Sequence, residues 1–144
     1  MRAAAIYLLR DRILLHPWQR TTAGVGLASE PYSRLSIDSD NEMLGAAVFG
    51  ILERAGRTVE HPASWSGLNK PRLKAAGVNS ETAFHSHARY VSIECAPNAL
   101  RIEPSQNAGT GAFSPLPDRV ITVALPASAA QVGTAVWNAL EACT

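Results

Sequence analysis

Four histidines and two cysteines are the residues most able to do chemistry in this 144-residue chain, and their spacing gives them little to work with. His85 and His87 form the one close pair. On a strand that spacing sets both rings on one face, where a metal ion fits; on a helix the rings point apart. No Cys, Asp or Glu stands close enough in sequence to complete three or four ligands, so no metal or other cofactor is expected. Cys95 lies in a β-type segment without a nucleophile signature, and Cys143 is next to the C-terminus. Both read as small apolar side chains rather than a disulfide. No G-x-S-x-G, G-x-x-x-x-G-K-[ST] or G-x-G-x-x-G occurs. Gly109-Thr110-Gly111 has no helix start behind it to complete a phosphate cradle. Asp38, Asp40 and Glu42 cluster, but a helix start accounts for them. No catalytic residue is assigned.

The densest basic stretch is Lys70, Arg72 and Lys74. On a helix Lys70 and Lys74 share a face and Arg72 points away, which suits either a solvated face or contact with an acidic partner. Trp18 and Trp65 are both read in loops, as lids on the core or as anchors of an interface. Net charge is +1, so nothing favours nucleic acid or an anionic membrane. Hydrophobic residues make up 47%, enough for a packed core, and the length suits one domain spanning 1–144. The N-terminal apolar run meets Arg10-Asp11-Arg12 before any cleavage-like site, and no run approaches a membrane span.

The positioning elements follow from periodicity. Residues 5–9 and 13–15 read as a hairpin around Arg10-Asp11-Arg12, with a bent strand to Ala28 and another over 32–37. Ser39 with Glu42 reads as a capping box for a helix ending at Gly56. Residues 58–70 read as irregular. Short helices follow at 71–76, closed by Gly77, and from Ser80 to about His87. Residues 90–95 and 99–103 read as a second hairpin, 105–111 as a loop, and 120–125 as a strand. Ser128 starts a final helix.

A weak internal repeat stands out. His16-Pro17-Trp18-Gln19 matches Glu103-Pro104-Ser105-Gln106 at an offset of 87, and Gly24 matches Gly111. Tyr32 to Ile37 matches Asp118 to Val123 at 86, and Leu44-Gly45-Ala46-Ala47-Val48 matches Val132-Gly133-Thr134-Ala135-Val136 at 88. The predicted fold is therefore α+β: a single, mostly antiparallel sheet with two long helices on one face. It is built from a pseudo-duplicated strand-strand-strand-helix unit over 5–56 and 90–143, with 57–89 as connector. Gly45 and Gly133 are expected to bring each helix close to the sheet.

Several short motifs run in order: His16-Pro17, Thr21-Thr22-Ala23-Gly24, Glu30-Pro31-Tyr32, Leu44-Gly45-Ala46-Ala47-Val48, His61-Pro62, Trp65 and Ala76-Gly77-Val78-Asn79-Ser80. Phe84, Pro104, Asn107, Gly111-Ala112-Phe113, Leu116-Pro117, Val132-Gly133, Ala139-Leu140 and Cys143 complete the series. In these the chain resembles the CdiI-type immunity proteins of bacterial contact-dependent growth inhibition systems. The resemblance implies a cytoplasmic protein that is not an enzyme. Its partner is then a cognate CdiA-type C-terminal toxin domain, often a nuclease, blocked in a one-to-one complex without nucleic acid or membrane contact. Twelve acidic against 13 basic residues depart from the acidic surface expected of an inhibitor that caps a basic nuclease cleft. The expected partner contacts are exposed side chains of the connector: Glu60, Trp65, Lys70, Arg72, Lys74 and Glu81. Two other functions compete. One is a small enzyme using His85, His87 or Cys95, marked by a pocket where two of these converge; the other is a scaffold that self-associates through the sheet.

Overall fold

The computed structural model describes residues 2–109 and 111–144; Met1, and Thr110 of the Gly109–Gly111 loop, lie outside the described residues. Strand β1 (Arg2–Leu8) and strand β2 (Arg12–Thr21) form the first hairpin, paired from Ala3↔Trp18 to Leu8↔Ile13. Strand β1 also pairs antiparallel with β6 (Arg89–Ala96), which turns at Pro97-Asn98 into β7 (Ala99–Asn107). The sheet's centre is therefore β2-β1-β6-β7.

The outer edge of β2 is shared by two short strands: β4 (Ser33–Ser36) pairs Arg12–Leu15, and β3 (Gly26–Ala28) pairs Trp18–Arg20. The outer edge of β7 is shared likewise by β9 (Ile121–Ala124) and β8 (Phe113–Pro115). Pro17 and Pro104 fall where one edge strand hands over to the other, so their missing N–H groups cost no ladder bond. Their carbonyls still accept from Ser29 and Leu116. The β2–β3 and β7–β8 registers are related by a shift of 87 residues. The edge strand aligned at 86 in the sequence stands instead at 88, since Ser36 and Ala124 hold corresponding places opposite Arg12 and Ala99.

Four local expectations are corrected. Residues 58–70 are not wholly irregular: β5 (Thr58–Val59) runs parallel to the end of β2, bonding through Arg20 and Thr22. Strand β7 continues to Asn107 where a loop was expected, because β8 gives it a partner there. Trp18 lies in β2, not in a loop. Helix α1 (Asn41–Glu53) is capped by Asp40, whose carboxylate accepts from the Met43 N–H at 2.8 Å, and not by Ser39.

Helix α4 (Ala129–Ala142) starts on a capping box between Ser128 and Gln131. It packs beside α1 on one face of the sheet. Leu44, Val48, Ile51 and Leu52 of α1 and Val132, Val136, Ala139 and Leu140 of α4 close over Ile6, Ile13, Leu15, Val91, Ile93, Leu100 and Ile102. Burying each Leu, Ile or Val among them is worth about 1.5–3 kcal/mol. Gly45 and Gly133 serve helix–helix contact, not helix–sheet contact as expected. A Cβ on Gly45 would run into the Ala129 backbone, and one on Gly133 into that of Asn41.

The other face is covered by the connector. Helix α2 (Lys70–Ala76) and helix α3 (Glu81–His85) set Leu73, Ala76 and Phe84 against Ala5, Tyr7 and Leu14. Gly77, at φ 74°, ends α2 in the left-handed region. With both faces buried, Ala4 to Tyr7 read as one continuous apolar run, as in a doubly covered strand. No helix of the described residues is long and apolar enough to cross a membrane.

Candidate functional site

The polar residues of the connector are organised from the inside out. At their centre is Glu81, whose Oε1 accepts from Asn69 at 2.8 Å and from the Arg72 guanidinium. Its Oε2 meets His85 Nε2 at 3.2 Å. Burial alone raises the Glu81 pKa, but Asn69, Arg72 and His85 outweigh it and hold the carboxyl below the usual range. Arg72 also lies 4.5 Å over the Phe84 ring, a cation–π contact that ties α2 to α3. Arg72 was expected among the exposed contacts, yet only 16% of its side chain is accessible. Helical spacing turns it away from Lys70 and Lys74 and into this network.

Behind the network lies an aromatic floor. Tyr7 stacks on Tyr90 at 5.0 Å and meets Phe84 edge-on at 4.9 Å. Burial, then the neighbouring Tyr90, push the Tyr7 pKa above its ordinary value. His16 is fully buried, packed edge-on against Trp18 and Tyr32. Its Nδ1 lies 3.0 Å from the Pro17 carbonyl and so carries the proton, while Nε2 has no protein partner. Burial lowers its pKa to about 4.

His85 and His87 both line an open cleft beside α3, together with Arg89, Asn107 and Thr144. His85 offers that cleft no free nitrogen: Nε2 faces Glu81, and Nδ1 is buried without a partner. His87 is exposed at the end of α3, with φ 64°. Cys95 does not line the cleft. Its thiol lies 3.6 Å from the Ala96 carbonyl, whereas that of Cys143 lies 3.4 Å from the Tyr90 carbonyl, and both are free. Among the described residues no three His, Cys, Asp or Glu side chains are placed to share a metal ion.

The exposed members lie ahead of and along α2. Glu60 follows β5 and is exposed. Trp65 is 49% exposed, resting edge-on against His61 at 5.6 Å. His61 is held in turn by Thr21 Oγ1 at 2.9 Å. Leu68, also exposed, leads into α2, where Lys70 and Lys74 are exposed. Lys74 reaches a groove of about 510 Å³ lined also by Glu30, Tyr32, Arg34, Arg54 and Pro71. Sequence reading missed Tyr32, Arg34 and Arg54 as a group. They come from β4, the residue before it and the C-cap of α1, and only the alternation of β4, which turns Arg34 outward beside buried-side Leu35, hinted at one of them.

Comparison with known proteins places these surfaces in context. The fold matches a protein of unknown function from Neisseria meningitidis with a TM-score of 0.81 at 19% identity, over 99% of this chain and 95% of the other. It matches a chain of a CdiA-CT/CdiI toxin and immunity complex from Yersinia pseudotuberculosis with a TM-score of 0.79 at 13% identity, over 99% and 97%. No curated protein matches the sequence. The family model of the CDI immunity protein, CdiI, matches residues 63–143, more than half of the chain, and the chain belongs to that family.

Proposed function

We propose that this protein binds and neutralises the C-terminal toxin domain of a cognate CdiA-type effector, protecting the cell that makes it. The observation that carries the reading is membership of the immunity family across residues 63–143, the half that includes most of the connector and α4. The proposal extends to a one-to-one complex in the cytoplasm, a nuclease as the toxin, and no catalytic step, cofactor, nucleic acid or membrane on the inhibitor's side. Its contact surface centres on Trp65 with Glu60, Lys70 and Lys74, the Arg72–Glu81 pair holding α2 and α3 in place behind it. A specific interface needs about 800 Å² from each partner, so neighbouring loops must join this patch.

Co-expression with the toxin domain encoded next to the chain tests the reading. Affinity purification is expected to recover a stoichiometric complex, and growth to be rescued. A neighbouring toxin domain that is neither retained nor silenced refutes it. A small enzyme is the second reading, supported by His85 and His87 lining one cleft. It requires that alanine at His87 abolish function in cells, whereas an immunity protein tolerates that change.

A further inference from the structure

The groove between β4, the end of α1 and α2 has a charge character that the chain as a whole lacks. Its lining holds three cations, Arg34, Arg54 and Lys74, against one carboxylate, Glu30. The chain's net charge is only +1, so this is a local excess. Of the ten cations elsewhere, five are already committed. Arg12 pairs with Asp11, Arg72 with Glu81 and Arg101 with Glu103, while Arg89 and Arg119 donate to the Leu140 and Ala142 carbonyls near the end of α4. Among the described residues no ion pair or side-chain hydrogen bond engages the charged groups of Arg34, Arg54 or Lys74, which converge on one concavity.

The walls suit a polypeptide. Tyr32 is half-buried, its ring packed on His16, and Pro31, Pro71 and Ala75 supply apolar surface. Tyr and Arg are among the residue types enriched at interface centres, and rigid walls cost little ordering entropy on binding. Through Lys74 the groove shares a helix face with Lys70, and so joins the exposed stretch that carries Trp65 and Leu68.

We infer that this groove receives an acidic segment of the toxin domain, its carboxylates meeting Arg34, Arg54 and Lys74 while Trp65 anchors the adjoining surface. The assignment rests on the immunity reading and adds the chemistry of the partner. It gives the near-neutral inhibitor a role for local positive charge, away from any basic catalytic cleft of the toxin.

The test is surface-based kinetics of the full-length chain against the neighbouring toxin domain, across a salt series. The triple variant Arg34→Glu, Arg54→Glu, Lys74→Glu is compared with the wild type and with Arg101→Glu on β7. All three positions are exposed, so unchanged thermal melting is expected. For the triple variant, association is expected to slow by about tenfold at low salt and to lose its salt dependence. Arg101→Glu is expected to associate like the wild type. Equal association by the triple variant overturns the groove assignment and leaves the immunity reading standing. A wild type that does not bind the toxin removes both. A tRNA probe shifted by the wild type but not by the triple variant overturns the acidic-peptide assignment in favour of nucleic acid.

Discussion

Gly45 and Gly133 make the sharpest test of how the two long helices are joined. Each is the fifth residue of its helix, and each faces the first residue of the other. A methyl group on Gly45 would lie 2.5 Å from the Ala129 carbonyl carbon and nearer still to its oxygen; one on Gly133 would meet Asn41 in the same way. Carbon atoms in good contact sit about 3.5–4.0 Å apart, so the helices must part by about 1 Å or more. Backbone cannot rotate aside as a side chain can, and the core formed by Leu44, Val48, Val132 and Val136 opens with them. Overpacking of this kind costs about 1–3 kcal/mol, occasionally more, and alanine's better helix propensity returns about 1 kcal/mol. An overlap with backbone this close puts the cost at the upper end of that range, so Gly45→Ala is expected to destabilise by about 2 kcal/mol. Gly50 supplies the control: it lies in the same helix with open space at its Cβ, so Gly50→Ala should gain up to about 1 kcal/mol. The two tight glycines fill one gap, so the double variant should cost less than the two single changes added together. Urea titration followed by tryptophan fluorescence and circular dichroism measures all four variants. A Gly45→Ala protein as stable as Gly50→Ala, or strict additivity in the double variant, refutes the reasoning.

Three further outcomes follow from the other face and the loops. His16 is buried neutral with a pKa of about 4 against about 6.5 when unfolded, so below pH 6.5 the unfolded chain takes up more protons. Its contribution is complete above pH 6.5 and is lost as the pH falls towards 4, with a ceiling of about 3 kcal/mol. Unfolding of His16→Phe at pH 7 and 4.5 should show that part of the slope removed; an unaltered slope contradicts it. Arg72→Met removes the cation over Phe84 and one partner of Glu81, which stays partly solvated, so a loss of about 1 kcal/mol is expected. Hydrogen exchange should rise first in residues 70–88, and a uniform rise over the sheet would argue against a local role. Trp65→Ala should change stability by less than about 0.5 kcal/mol, since its ring rests only edge-on against His61, yet weaken toxin binding at least tenfold. Calorimetry of the complex decides it, and unchanged affinity removes Trp65 from the interface.

Much of the frame was legible because the relevant physics is local. The hairpins at Arg10-Asp11-Arg12 and Pro97-Asn98, the left-handed Gly77 and the Ser128 cap each depend on residues close in sequence. What escaped depends on partners far along the chain. Nothing near Thr58 announces a strand, because β5 exists only where the end of β2 offers it unpaired groups. Ser39 and Asp40 are both competent caps, and only the geometry of the chain leaving β4 selects Asp40. Reading the contact surface from the polar residues of one segment groups the largely covered Arg72 with exposed side chains. The same segment's i,i+4 face gave Lys70 and Lys74 correctly as exposed. The groove cations Arg34 and Arg54 come from β4 and the end of α1, and their convergence with Lys74 has no one-dimensional trace.

That both sheet faces are covered limits where recognition can occur. The helix pair α1–α4 seals one side and the connector helices α2–α3 the other, so among the described residues no apolar sheet face is open for a partner. Specificity must then come from helix exteriors, loops and grooves, where side chains change without disturbing the core. The connector sits at that boundary. Leu73, Ala76 and Phe84 point inward and help close the sheet, while Trp65, Lys70 and Lys74 point out. On α2 the two roles alternate along one helix. Its inner positions are bound by packing and its outer ones are free to vary. Charge reversal at Lys74 should therefore alter partner binding at little cost in stability, whereas truncating Phe84 to alanine should cost about 3–5 kcal/mol before any partner is met. Equal losses of stability from the two changes would show that fold and recognition are not separable on this segment.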